Sequence, residues 1–240
     1  MLSIVTPTLD AAKFLPNCLE AVARLPFEHE HIVVDGGSAD ETVALATAAG
    51  ARVLRQTRAD GMYGAVDEGL QASRGAYVTY VNADDEPVAD GYAALYSRIC
   101  AADAPTLTYG SCLYRYVAPG SPQRDRVEPS RKAAAYFLRA GILPFAQPSC
   151  VFRRDAYEAV GGFDASNYRI AGDLEFFRRM AMLPDFRAVA VPTVASIFLK
   201  HGESLGDRNT PLAEEERRRM GVPTHPRLMD QVLFRIASWV

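Results

Sequence analysis

The sequence predicts an α/β fold, a mostly parallel central sheet flanked by helices. Two observations predict it. Over residues 2–100 short, almost continuously apolar runs alternate with segments of helical periodicity, the pattern of strands buried on both faces. Three polar clusters, Thr6-Pro7-Thr8, Asp35-Gly36-Gly37-Ser38 and Asn82-Ala83-Asp84-Asp85, each follow one of those runs directly. They therefore share the carboxyl edge of the sheet, where open parallel sheets bind their ligands.

Leu2–Thr6 is the first strand, expected to end at Pro7. Phe14, Leu15, Cys18, Leu19, Val22 and Leu25 recur at helical spacing, and Pro16 is tolerated in the first turn. His31–Val34 is a β-branched run that stops at Asp35. Glu41–Ala49 reads as a helix, with Ser38 or Asp40 as its N-cap and Gly50 as its stop. Arg52–Arg55 is a short strand, Gly64–Ser73 a helix, Ala76–Val81 a buried strand, and a further helix runs from about Val88 to Cys100.

The second half reads as a small mixed β and helical region. Thr106–Val117 gives one or two strands and Ala118–Ser130 a loop rich in proline, glycine and charge. Ser149–Arg153 is a strand, Asp155–Val160 a short helix, Asp173–Leu183 a helix and Val189–Leu199 again β structure. A helical tail follows. In Glu214-Glu215-Glu216-Arg217-Arg218-Arg219 the pairs Glu214–Arg218 and Glu215–Arg219 fall at i,i+4 on an exposed helix. Arg227–Val240 is amphipathic, suited to packing on the domain or a partner, or to lying on a membrane surface. Arg115–Arg139 is locally basic, either a solvated face or a surface for anionic lipid or substrate phosphate. The division expected is 1–205 for the main domain, split into a 1–105 half and a 106–205 half, and 206–240 for the tail.

With 240 residues, 49% apolar and 23% charged, the chain has an ordinary globular composition and can bury a core without staples. Its net charge of −3 weighs against a nucleic-acid partner. Cys18, Cys100, Cys112 and Cys150 lie far apart with no CxxC pair, as a reducing compartment tolerates. No secretory leader and no apolar run of spanning length is visible. A cytoplasmic protein is expected, with peripheral contact at the inner membrane surface left open.

Asp84 and Asp85 are adjacent carboxylates that repel one another unless a cation or hydrogen bonds compensate. A Mg²⁺ or Mn²⁺ ion shared with substrate phosphates would do so, and so would a role for Asp85 as the cap of the helix near Pro87. There is no Walker-type phosphate loop and no GxGxxG after the first strand. His29 and His31 flank Glu30 without a third ligand and read as edge-strand residues.

Beyond these single features, the ordered set Ser3-Ile4-Val5-Thr6-Pro7-Thr8, Ile32–Thr42, Asp60–Gly69, Ala72-Ser73-Arg74-Gly75 and Val81–Asp85 resembles a family 2 glycosyltransferase of GT-A, Rossmann-like fold. Gln147-Pro148-Ser149, Phe152-Arg153-Arg154, Gly161-Gly162-Phe163-Asp164 and Ala171–Phe176 resemble its second half. The likeness is to the branch acting in bacterial exopolysaccharide, O-antigen and colanic-acid-type assembly. It implies an inverting enzyme that moves one sugar from a nucleotide-sugar, a UDP-sugar favoured, to the hydroxyl of a glycan or lipid-linked acceptor.

The resemblance also implies roles. Asp35 would hydrogen-bond the base, with Thr6 and Pro7 lining the pocket. Gly61, Asp67, Asn82 and Asp84 would surround the nucleotide-sugar. Asp84 and Asp85 would hold Mg²⁺ or Mn²⁺ on the diphosphate, with His201 approaching the ion or standing in a surface loop. Asp173 would be the general base, unless it only caps the Leu174–Met182 helix. Gln147 and Arg153 are candidates for acceptor or phosphate contact. Departures are Gly172 where many relatives carry Glu, Asn82 for the first Asp of Asp-x-Asp, Asp60 where Lys is common and Asp67 where Asn is usual. No Gln-x-x-Arg-Trp occurs, against a processive synthase. Two other readings stay open: a nucleotide-sugar- or glycan-sensing relative without turnover, and a sugar-phosphate nucleotidyltransferase.

Overall fold

The computed structural model describes residues 1–117, 123–128, 133–201 and 210–223. The amphipathic segment 227–240 and parts of the loops at 118–130 and 204–211 lie outside the described residues. Strands β1 (Leu2–Thr8), β2 (His29–Asp35), β3 (Arg52–Arg55) and β4 (Tyr77–Tyr80) are parallel in the order β3-β2-β1-β4. Helices α1 (Leu15–Ala23), α2 (Thr42–Ala48) and α3 (Gly61–Ala72) connect them. The remainder supplies β5 (Glu86–Pro87), α4 (Ala89–Ile99), β6 (Leu107–Tyr116), β7 (Arg124–Glu128), α5 (Ala134–Arg139), a 3₁₀ turn (Gln147–Ser149), β8 (Cys150–Arg153), α6 (Arg154–Ala159), α7 (Gly172–Met180), β9 (Ala188–Lys200) and α8 (Thr210–Arg219). These strands extend the sheet past β4 in the order β8-β6-β9-β5, with β7 on β6.

Three expectations are corrected. Pro7 lies inside β1, opposite Val34, instead of ending it. Val5 offers its carbonyl to Val81 on the β4 side; Pro7, two residues on, faces the same side, where pairing with β4 has stopped. Its missing N–H therefore breaks no bond. Residues 124–128, read as loop, form β7, antiparallel to β6 from Cys112↔Glu128 to Tyr116↔Arg124. The strand was hidden by its charges, which an exposed strand tolerates. The short β5 was not anticipated, and it matters because its antiparallel register with β9, Glu86↔Ile197, brings the end of β9 back beside residues 82–85.

The sheet is covered on both faces. Leu2 and Ile4 pack with Cys18 and Val22 of α1 and with Tyr92, Leu95 and Ile99 of α4. Val5, Val34 and Phe152 pack with Val66 and Leu70 of α3 and with Phe176 and Phe177 of α7. Gly69 lets α3 approach the strands, since a Cβ there would come within 2.5 Å of Val5 Cγ1 and 2.9 Å of Val34 Cγ2. In a free helix Gly→Ala stabilises by up to ~1 kcal/mol. Here overpacking reverses the sign, and Gly69→Ala is expected to destabilise by about 1–3 kcal/mol. A lowered urea midpoint at unchanged slope is the readout.

Candidate active site

The parallel half reverses direction between β1 and β4, the switch point at which ligands bind in such sheets. Pairing of β1 with β4 stops at Val5↔Tyr80, whereas β1 follows β2 to Thr8↔Asp35. The two chains part and open a crevice. Its wall is braced by hydrogen bonds between the loops after β1 and β2. Asp10 N–H donates to Ser38 Oγ at 2.9 Å, Ala39 N–H to Asp10 Oδ1 at 2.8 Å, and Ala12 N–H to Asp40 Oδ2 at 3.0 Å.

Asp35 is buried at the end of β2. Its Oδ2 accepts from the Gly37 and Ser38 amides, both at 2.9 Å, and its Oδ1 from Ser38 Oγ at 2.5 Å and Thr8 Oγ1 at 3.3 Å. Those four bonds fill a carboxylate's acceptor positions. The longest is also the most replaceable, because Thr8 Oγ1 has a second acceptor in Val34 O at 3.4 Å. Thr6 and Pro7 are both buried. The Thr6 hydroxyl is used internally, 3.0 Å from His31 Nε2 and 3.8 Å from Cys18 Sγ. Burial lowers the His31 pKa to about 4, so this imidazole is neutral. His31 pairs with Ile4 within β2, not on an edge strand.

Beyond β4, Asn82, Asp84, Asp85 and His201 meet. Asp84 Oδ2 lies 2.9 Å from His201 Nε2, and the His201 ring packs against Phe14 with centroids 4.4 Å apart and planes tilted by 33°. Asp85 is 1% exposed. It does not cap α4, whose N-cap is Val88. Asn82 Nδ2 donates to its Oδ2 at 3.3 Å. Burial, and next the Asp84 charge, raise the Asp85 carboxyl well above the usual range. Asn82 Oδ1, Asp85 Oδ1 and His201 Nδ1 are buried without a hydrogen-bond partner among the described residues. Orphaned buried polar atoms are costly, and three in one cluster make this a candidate ligand site. The donor set, two carboxylates and an amide oxygen beside an imidazole, suits a hard divalent ion that takes its remaining ligands from phosphates. Among the described residues, no group of three or more His, Cys, Asp or Glu is arranged to hold a metal ion.

Asp173 stands in the first turn of α7, two residues past the N-cap Ala171, so it is not the cap itself. Its Oδ1 accepts the Leu174 amide at 2.7 Å. Burial raises its pKa above that of an exposed aspartate, and the Leu174 amide and the Tyr63 hydroxyl pull the other way. Its charge is felt by Tyr80 at the end of β4, and the Asn82–Asp85 cluster begins two residues further on. Tyr63, from α3, is buried and stacks on Phe163 at 5.6 Å. Tyr63 also explains Gly172, since a Cβ there would come within 2.5–2.9 Å of the Tyr63 ring. Gly172→Glu is therefore expected to displace Tyr63 and lower stability by about 1–3 kcal/mol, read as a fall in Tm.

Two expected site residues are placed elsewhere. The carboxylate of Asp67, expected beside the diphosphate, takes Tyr157 OH at 2.7 Å, Phe163 N–H at 3.0 Å, Arg58 Nη2 at 3.0 Å and Gln71 Nε2 at 2.8 Å. With its acceptors filled, it ties α3 to α6 and the turn at Gly162. Arg153 pairs with Tyr77 at the amino end of β4, the opposite edge from the Asn82–Asp85 cluster, and binds Asp155. Gly61 opens α3 with φ +77, a conformation glycine permits. Gln147 is buried and donates to Tyr80 O at 2.7 Å, tying the 3₁₀ turn to the end of β4. Arg58 went unnoticed in the sequence, yet it lies 3.5 Å from Asp60, 3.0 Å from Asp67 and 3.4 Å from Glu68. It offsets the acids that departed from the expected pattern. A cleft of about 360 Å³ lies by His29, Glu30, Arg52 and Arg74 at the amino edge of the sheet.

A family model described as glycosyl transferase family 2 matches residues 3–161. The PGL/p-HBAD biosynthesis glycosyltransferase of Mycobacterium bovis (strain BCG / Pasteur 1173P2) is 27% identical over 234 residues, 93% of this chain and 85% of the relative. Glycosyltransferase GlyG of Streptococcus pneumoniae serotype 4 is 24% identical over 88% of this chain and 63% of its own. Among solved structures, S. aureus TarS 1-349 in complex with UDP-GlcNAc superposes with a TM-score of 0.65 at 16% identity, over 91% of this chain and 65% of that one. The mannosyltransferase PcManGT of Pyrobaculum calidifontis, in complex with GDP-Man and Mn²⁺, gives 0.64 at 18% identity, over 98% and 68%. This chain thus spans just under two thirds of the TarS fragment and of GlyG. At these identities the structural likeness is one of fold.

Proposed function

The chain belongs to glycosyl transferase family 2, and from that premise we propose that it transfers one sugar, with inversion, from a nucleotide-sugar to an acceptor hydroxyl. The observation carrying this reading is the polar cluster just past the carboxyl end of β4, with Asp173 within electrostatic reach of Tyr80 on the same strand. Asn82, Asp84, Asp85 and His201 leave three buried polar atoms without partners among the described residues, and Asp173 is a carboxylate made more basic by burial.

Asp84 and Asp85, flanked by His201, would hold Mg²⁺ or Mn²⁺. When bound, that ion neutralises charge on the departing nucleoside diphosphate. Asp35 receives a base N–H, the uracil N3–H if the donor is a UDP-sugar, as Thr8 Oγ1 turns fully to Val34 O. The TarS complex, with UDP-GlcNAc, favours that donor class, and the PcManGT complex keeps GDP-Man in view. Asp173 takes the acceptor hydroxyl proton while that oxygen bonds to the anomeric carbon and the bond to the diphosphate breaks on the opposite face. Its raised pKa serves this task, because a base is most effective near the working pH. Tyr63 holds the base in place.

The acceptor is a glycan or a lipid-linked glycan of a cell-surface polysaccharide. We place the protein in the cytoplasm, with peripheral contact at the inner membrane surface through the basic residues of 115–139. No helix among the described residues is long and apolar enough to cross a membrane. A panel of UDP-glucose, UDP-galactose, UDP-GlcNAc and GDP-mannose, each with Mn²⁺ or with EDTA, tests the reading. Nucleotide release from at least one donor, abolished by EDTA, is expected. Silence across the panel with no nucleotide binding in calorimetry would contradict it.

A further inference from the structure

We infer that Glu216, on the tail helix α8, is a positioning residue for Asp173. The inference rests on the reading of Asp173 as the base. Glu216 is 1% exposed in a helix otherwise rich in exposed charge. Its Oε1 accepts the Arg169 amide at 2.7 Å, and its Oε2 the Ile170 amide at 3.0 Å and the Ala171 amide at 2.7 Å. These consecutive N–H groups form the approach to α7, ending on its N-cap, and Gly172 and Asp173 come next. Three charge-assisted bonds at the positive end of a helix offset the burial of the carboxylate.

The same peptide segment is held from its other side. Tyr63 OH donates to Ile170 O at 3.2 Å. The next tail residue, Arg217, anchors α8 by donating to Gly141 O at 2.8 Å and Pro223 O at 2.9 Å, and its charge acts on Asp173. Glu216 and Tyr63 thus grip the strip 169–171 between α8 and α3. The direction of the Asp173 carboxylate follows from that grip. On this account the tail helix, outside the matched 3–161 region, belongs to the catalytic apparatus. Releasing the strip would move the base and admit water to it, and misplacing a reacting group by about 1 Å costs on the order of 100-fold in rate.

The test compares full-length Glu216→Gln and Glu216→Ala with Asp173→Asn, using the donor turned over in the panel. Rates are normalised to the number of UDP-binding sites found by calorimetry with Mn²⁺, so that partial unfolding does not count as lost chemistry. Glu216→Gln keeps the shape and one acceptor oxygen and is the variant that guards against failure to fold. We expect kcat per site to fall about 10-fold in Glu216→Gln and about 100-fold in Glu216→Ala, with donor KM and UDP affinity within about threefold of wild type. The acid limb of the kcat profile should move to lower pH as Asp173 becomes hydrated, a change that lost stability alone does not produce. Wild-type kcat in both Glu216 variants beside an inactive Asp173→Asn would overturn this inference and leave the functional reading intact. Full activity in Asp173→Asn would overturn both.

Discussion

Asp173→Asn is expected to lower kcat by about 10²–10⁴-fold, the usual contribution of a positioned base, while UDP affinity stays within a few-fold. The reason lies in where the group sits. Asp173 is in the first turn of α7, beside Tyr63 and within electrostatic reach of Tyr80, and burial holds its pKa above the ordinary 3.8. As the proposed base it must be ionised to work, so kcat should fall with falling pH at a limb lying above the common aspartate range. The same shift sets a stability signature. Between pH 3.8 and the higher folded-state value, the native chain keeps a proton that the unfolded chain has lost. The stabilisation from that proton is complete below the unfolded value and is lost as pH rises through the folded one. At neutral pH the ionised side chain is a burden that Asn removes. Asp173→Asn is therefore expected to melt at or above the wild-type temperature while nearly inactive, which separates a catalytic loss from a folding defect.

Chelating divalent ions with EDTA, or changing Asp84→Asn, is expected to cost about 100-fold or more in turnover, in line with several kcal/mol of charge stabilisation at a departing diphosphate. Here nucleotide binding should weaken as well. Asp84 is bonded to His201 and lies next to the buried Asp85, so the change disturbs the whole acidic cluster. Calorimetry with UDP, with and without Mn²⁺, is the check. Metal-independent UDP affinity in the wild type, unchanged in Asp84→Asn, would place the phosphates elsewhere. Taken together, the two variants would separate the proposed base, acting on the acceptor, from the proposed cluster, acting on the donor.

The parallel half of the fold was legible because β1, β2 and β4 each carry a largely apolar run followed by a polar turn; the short Arg52–Arg55 matches β3 at both ends. What escaped was structure made by pairing. The two-residue β5 carries no pattern of its own, yet it brings His201 to Asp84. The register of β8 against β4 sends Arg153 to the far edge, and no property of that arginine announces it. Asp67 looks in sequence like a donor contact, and only the packing of α6 and the Gly161-Gly162-Phe163 turn onto α3 shows its oxygens spent. Glu216 did leave a trace. In the run Glu214–Arg219 its neighbours Glu214 and Glu215 have arginines four residues on, whereas Glu216 has Met220. A carboxylate without that partner, on the face that also carries a methionine, is one that can turn inward.

The most direct measurement is a crystal structure of the full chain with a UDP-sugar and Mn²⁺, collected for manganese anomalous scattering. The account predicts one peak beside Asp84, Asp85 and His201, the base against Asp35, and the anomeric carbon facing the side of the crevice that holds Asp173. A manganese peak away from Asp84 and Asp85, or a nucleotide seated in the cleft by His29 and Arg74, would contradict it.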